Sequence, residues 1–143
     1  MTTSPADDRP PDGGPIVTKY GARSVPRTVE RLIGLIAEKD LKLFAVIDQQ
    51  AQAREVGLPL RETTLVLFGN PAAGTQVMTA VPLVALDLPL KVLIWADADR
   101  TAVSYLSPSA LAARHDLPTP LAQAFAGLDA ITDALVASGG STS

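Results

Sequence analysis

Cysteine is absent from the chain. That absence removes disulfides, thiolate nucleophiles, zinc–thiolate centres and iron–sulfur clusters from consideration. Histidine occurs once, as His115, so a zinc site of the three-histidine or two-histidine-plus-glutamate type cannot be assembled within one chain. Aromatic residues make up only 4% of the 143 positions, and the core must therefore be aliphatic. A basic run is missing too. The 12 Lys and Arg, set against 15 Asp and Glu for a net charge of −3, are scattered, which argues against nucleic acid as a partner. The longest apolar stretch, residues 81–93, is interrupted by Pro82, Asp87, Pro89 and Lys91. It is too short and too broken to cross a bilayer, so no membrane partner is expected. Met1 to Pro15 shows no basic segment followed by an apolar run, so no secretory signal is visible and a cytoplasmic location is the expectation.

What is present is enough for one packed domain. Hydrophobic residues amount to 47%, too many for a disordered chain, and a chain of roughly 150 residues buries about 70% of its unfolded surface. Residues 1–14 are rich in Thr, Ser, Pro, Asp and Gly, and residues 138–143 read Ser-Gly-Gly-Ser-Thr-Ser. Both are expected to be flexible tails flanking a single domain over residues 15–137.

Within that domain the patterning alternates between two periods. Ile16 to Ala22 carries β-branched and aromatic residues and reads as a strand. Ser24 and Pro26 supply helix-start chemistry, after which Val29, Leu32, Ile33, Ile36 and Ala37 recur at helical spacing. Leu41 to Ile47 is a nearly continuous apolar run, expected to form a central strand covered on both faces. Asp48 to Val56 reads as a short helix and Thr63 to Phe68 as a third strand. Ala72 to Val81 reads as a short helix or ordered loop limited by Pro82. Leu88 to Trp95 is a fourth strand, and a turn at Asp97 to Arg100 joins it to a fifth at Thr101 to Tyr105. Ser107-Pro108 opens a helix to Arg114. Thr119-Pro120 opens another, with an apolar stripe of Leu121, Phe125, Leu128, Ile131 and Leu135. The fold class is α+β: a mixed, mostly antiparallel sheet, with one crossover at its start and helices on one face.

Four places hold polar groups that chemistry could use. Phe68 to Thr75 resembles a phosphate loop after a strand, but no Lys precedes Thr75 and Pro71 removes one amide, so a nucleotide-hydrolysing loop does not fit. Amides near Gly74 and Thr75 are candidates to hold a small anion, with Asn70 and Thr75 adding side-chain hydrogen bonds. The competing reading is a turn in which Gly69 and Gly74 adopt positive φ. Asp87 sits among apolar residues and must be paired if buried, with Lys91 as one candidate partner. Asp48 ends a strand, either displayed for acid–base work or capping the helix that follows. Asp97-Ala98-Asp99-Arg100 lacks the Gly and the terminal Glu of a calcium loop, so no metal and no cofactor is expected.

Several of these segments, in this order, resemble a known family. Val46-Ile47-Asp48, Ala53-Arg54, Leu67-Phe68-Gly69-Asn70-Pro71 with Gly74-Thr75 and Met78, and Leu86-Asp87-Leu88-Pro89-Leu90-Lys91 with Trp95 all take part. So do Ser104-Tyr105 and Leu111 with Arg114-His115. Together they are similar to the family described as domain of unknown function 302. The resemblance spans roughly residues 16–117. It implies a TATA-binding-protein-like fold (strand, helix, four strands, helix) and homodimers, and it implies no established activity. The chain departs from the family at Gln49, where a His usually follows the Ile-Asp pair, and in the turn before the fifth strand, where a Gly is common. Three readings follow. The first is a small-ligand or anion-binding or regulatory homodimer with Asn70, Gly74, Thr75, Asp87 and Lys91 at its site. The second is a cofactor-independent enzyme using Asp48 or Asp87 as acid–base and Asn70 with Thr75 as donors. The third is an assembly module whose apolar surface, around Trp95 or on the last helix, docks a partner.

Overall fold

Ser24 begins the first helix by accepting a hydrogen bond from the Arg27 amide at 3.3 Å, with Pro26 inside the first turn. From there the 3.6-residue period places Val25, Thr28, Leu32, Leu35 and Ile36 on one buried stripe of α1 (Val25–Glu38). The computed structural model describes residues 15–137. The tails expected at residues 1–14 and 138–143 lie outside the described residues.

Five strands form one sheet: β1 (Ile16–Gly21), β2 (Lys42–Asp48), β3 (Thr63–Gly69), β4 (Leu90–Asp97) and β5 (Arg100–Leu106). Their order is β1-β5-β4-β3-β2, and every neighbouring pair is antiparallel. The sheet is therefore α+β as expected but not mixed. β1 and β2 lie on opposite edges, and α1 carries the chain across the whole sheet between them.

The expectation that Leu41 to Ile47 is central fails: β2 is an edge strand, with Leu43, Phe44 and Val46 exposed. Continuous apolarity cannot distinguish a strand covered on both faces from an edge strand lending side chains to a pocket. Here a register shift between Leu43 and Ala45 swings Phe44 out of the ladder. The shift also blunts the free edge.

Period-two alternation sends Val66, Phe68, Val92, Ile94, Val103 and Tyr105 to one face of the sheet, where they pack with Leu32 and Ile36 of α1 and Leu128, Ile131 and Leu135 of α6 (Gly127–Val136). A second, smaller core gathers Val77, Val84, Leu111 and Phe125 at one end. It is built by α3 (Pro71–Ala80), a 3₁₀ turn (Pro82–Asp87) and α4 (Pro108–Arg114). The last helix is not continuous from Thr119. It divides into α5 (Thr119–Ala122), a 3₁₀ turn (Gln123–Phe125) and α6. The cause is the two cores: Phe125 belongs to the small one, while Leu128, Ile131 and Leu135 belong to the large one. One straight helix cannot aim its stripe at both.

Candidate functional site

The junction of β3 and α3 is shaped by Asn70. Its side-chain Oδ1 accepts from the amides of Ala72 at 3.0 Å and Ala73 at 3.1 Å, and its carbonyl accepts from Gly74 at 2.8 Å. Pro71 has no amide hydrogen. The helix start is thus satisfied by its own cap, and the Gly74 amide points along the helix. Neither Gly69 nor Gly74 is among the positive-φ residues, which include Gly57 but not these two. The turn reading based on positive φ is therefore corrected. Gly74 serves space instead: a Cβ there would meet Leu88 Cδ1 at 3.8 Å.

That space is a cavity of about 230 Å³ between α3, the start of β4 and the Gln123–Phe125 turn. Phe44, Met78, Leu88, Leu90 and Phe125 supply its apolar wall, and Asn70, Gly74 and Thr75 also line it. The Thr75 hydroxyl and the Asn70 Nδ2 have no hydrogen-bond partner among the described residues. Two polar groups at the edge of an otherwise apolar cavity are the usual make-up of a small-molecule site.

Asp87 and Lys91 are elsewhere. Both line a separate depression with Arg114. Asp87 is not paired with Lys91. Its carboxylate takes Arg114 Nη1 at 3.0 and 3.2 Å and meets His115 Nε2 at 2.6 Å. Partial burial pushes this carboxyl upward, but the hydrogen bonds and charges of His115 and Arg114 outweigh it and hold the group below the ordinary aspartate value. Asp48 caps α2 (Gln49–Glu55), its Oδ1 accepting from the Ala51 amide at 2.9 Å. Asn70, Gly74 and Thr75 thus come together, whereas neither Asp48 nor Asp87 lines their cavity. The acid–base groups and the hydrogen-bond donors of the enzyme reading do not share a site.

Sequence reasoning missed Phe44 and Phe125 as cavity walls, and Arg114 with His115 as the partners of Asp87. The signal for the pair was available: Asp87 and Arg114-His115 belong to the same set of family-like segments. A further polar cluster went unnoticed. Lys19, on the core face of β1, reaches the Asp133 carboxylate at 2.8 Å, the Thr132 hydroxyl at 2.7 Å and the Asp129 carbonyl at 3.1 Å. The Tyr105 hydroxyl donates to the Asp129 carboxylate. These contacts bind α6 to the sheet.

Comparison with known proteins agrees with the geometry at the level of the fold. A crystal structure of an uncharacterized conserved DUF302 protein from Bacillus stearothermophilus superposes with a TM-score of 0.72. The match covers 85% of this chain and 94% of that one at 18% identity. Two curated relatives are named fluoride-specific ion channels: FluC 1 of Brucella suis biovar 1 (strain 1330) and FluC 2 of Brucella melitensis biotype 1. Each is 36% identical over 103 residues, 71% of this chain. The matched part is 41% of the first relative and 38% of the second, so the chain spans about two fifths of their length. Among the described residues no helix is long and apolar enough to cross a membrane. The family described as "Domain of unknown function DUF302" matches residues 17–135. On that match, which takes in both cores and the cavity between α3 and β4, the chain belongs to the DUF302 family.

Proposed function

We propose that this chain is a small-ligand-binding regulatory domain and that its ligand is a compact, largely apolar molecule carrying one hydrogen-bonding group. The cavity walled by Phe44, Met78, Leu88, Leu90 and Phe125 carries this reading. An apolar cavity of about 150 Å³ is known to accept a single benzene ring, so one of about 230 Å³ has room for a ring with a short polar substituent. Thr75 and Asn70 are the groups to meet that substituent. An anion is the poorer occupant, because the amides that would cradle it are held by Asn70 and by the helix itself.

Kinship with part of two proteins named as ion channels supports a regulatory role. Among the described residues this chain has no helix long and apolar enough to cross a membrane, and the proposed role asks for none. The cytoplasmic location expected from the sequence belongs to this proposal.

The test is a thermal-shift and calorimetric screen in which phenol, benzyl alcohol and indole are compared with benzoate, phosphate and fluoride. A ligand that binds only the native state stabilises by about 2.7 kcal/mol at a hundredfold excess over its dissociation constant. The neutral ring compounds are expected to raise the melting temperature. If none of the probes raises it, the ligand-binding reading fails; if only anions do, the assignment of ligand chemistry fails.

A further inference from the structure

The last helix breaks where the two cores meet, and the break leaves space. Phe125 turns into the small core, while Leu128 and Ile131 turn into the large one. Gly127, between them at the start of α6, brings no side chain to the seam, and a Cβ built there would meet nothing within 4 Å. Beside it lies a second cavity of about 210 Å³, walled by Leu41, Phe68, Leu128 and Ile131.

This cavity adjoins the one between α3 and β4. The two share Gly69, Asn70, Leu90, Ala124 and Phe125 in their walls. Thr75 lines only the first, whereas Gly127 and Ala130 line only the second. The shared residues are therefore a join, with the Thr75 hydroxyl on one side of it and an apolar space beside α6 on the other. We propose that one ligand occupies both cavities, its ring and hydrogen-bonding substituent in the first and a short, neutral hydrocarbon tail in the second. The ligand class is then an alkyl-substituted phenol or aryl alcohol. This assignment rests on the ligand-binding reading above and adds the tail to it.

The second wall decides the chemistry of the tail. Its polar side chains are those of Asn70 and Lys39. Asn70 belongs to the join, and its Oδ1 is committed to the amides of Ala72 and Ala73. Lys39 is exposed, at the end of α1. Beyond the join, a tail ending in a hydroxyl, an amide or a sugar would lose its hydration and find no side-chain acceptor in exchange. A hydrocarbon tail gives up no hydrogen bond, and each methylene it buries is worth about fourfold in affinity. Space is sufficient: an apolar cavity of about 150 Å³ takes a whole benzene ring, and a tail of a few carbons is smaller than that ring.

Calorimetric titration with phenol, para-ethylphenol, para-butylphenol and para-hydroxyphenylbutyric acid tests this on the wild type, Gly127→Leu and Lys39→Gln. For the wild type, para-butylphenol is expected to bind at least about tenfold more tightly than phenol, with para-ethylphenol between them. Gly127→Leu sets a branched side chain in the open seam. It is expected to remove the gain from the tail while phenol, which needs only the first cavity, binds as before. Lys39→Gln is expected to leave the three neutral probes unchanged. Circular dichroism checks the fold. If Gly127→Leu does not fold, Ala130→Leu, at an exposed position in the same wall, decides by the same loss of the gain. Failure of phenol and of every longer probe to bind overturns the ligand-binding reading and the tail with it. If phenol binds and the tail adds nothing, or if the gain survives in the variant that fills the seam, the tail assignment alone is overturned. It is overturned too if para-hydroxyphenylbutyric acid binds more tightly than para-butylphenol and loses that advantage in Lys39→Gln, because the second cavity then selects an acid.

Discussion

Asp87 Oδ2 lies 2.6 Å from His115 Nε2, and its other oxygen lies 3.0 Å from Arg114 Nη1. One carboxylate thereby joins the end of the Pro82–Asp87 turn to the end of α4, two of the elements that enclose the smaller core. The His115 and Asp87 side chains are 9% and 17% exposed, so the contact is shielded from solvent in a way that surface ion pairs are not. Because its partners hold the Asp87 carboxyl below its ordinary value of 3.8, the unfolded chain binds the proton more readily. The stability this group contributes is therefore present above that ordinary value and is lost as pH falls through the lower folded value. Urea unfolding over a pH series is expected to show Asp87→Asn destabilised by about 1–3 kcal/mol at neutral pH, with a flatter acid limb than the wild type. Equal acid limbs in the two proteins would count against this assignment.

The cluster around Lys19 has the opposite sign. Burial lowers the Lys19 value, but Asp133 and Tyr105 more than offset this and leave it raised. Burial and the bond to Asp129 raise the Tyr105 value against the pull of Lys19 and Thr132. Groups raised in the fold contribute stability below their unfolded values and lose it as pH rises through the folded ones. The melting temperature is expected to fall in alkali as the hold of the sheet on α6 weakens, and Lys19→Met is expected to fall less. Tyr105→Phe, which removes only the hydroxyl bonded to Asp129, is expected to cost about 1 kcal/mol at neutral pH. A scan of melting temperature against pH for the three proteins checks both points.

Ala98 occupies the first position of the two-residue turn between β4 and β5, with φ of 57°. A left-handed residue at that position is the pattern for which hairpins use glycine, and a side chain there costs roughly 1–2 kcal/mol. Ala98→Gly is expected to relieve this strain, partly offset by the greater entropy of the unfolded chain. The net gain is expected to be on the order of 1 kcal/mol, seen as a rise of about 4 °C in melting temperature. A fall in melting temperature would show that the turn is not strained.

Ala98 also shows how much of this molecule is legible in the sequence. All five strands lie close to where alternation and turn residues put them, and so do the caps at Ser24 and Ser107, because these are local signals. The departure at the β4–β5 turn was equally visible, although its cost needed the dihedral angle. Long-range relationships were not legible. Nothing local says that β2 lies at an edge, since an apolar strand beside a cavity reads like one buried on both faces. Nothing in the stripe from Leu121 to Leu135 says that Phe125 serves a different core from Leu128. The partners of Asp87 are 27 and 28 positions away, beyond any periodicity argument. For the site, Asn70, Gly74 and Thr75 were found through their turn chemistry, while Phe44 and Phe125, the walls that turn it into a cavity, reach it only through tertiary packing.

Gly74 separates stability from binding. It lies inside α3 without positive φ, so Gly74→Ala relieves a helix-interior glycine and is expected to stabilise the fold by about 0.5–1 kcal/mol. The added methyl meets Leu88 Cδ1 at 3.8 Å, an ordinary contact, so the fold has room for it. The same methyl occupies cavity space, so a ring-sized ligand is expected to bind at least about tenfold more weakly, a loss of about 1.4 kcal/mol. Thr75→Val keeps the shape of the wall and removes the unpartnered hydroxyl. It is expected to weaken phenol or benzyl alcohol by about 1 kcal/mol while leaving toluene unchanged. Calorimetric titration of the three proteins with each probe reads both effects. A Gly74→Ala protein that melts higher and still binds phenol as tightly as the wild type would place the ligand somewhere other than this cavity.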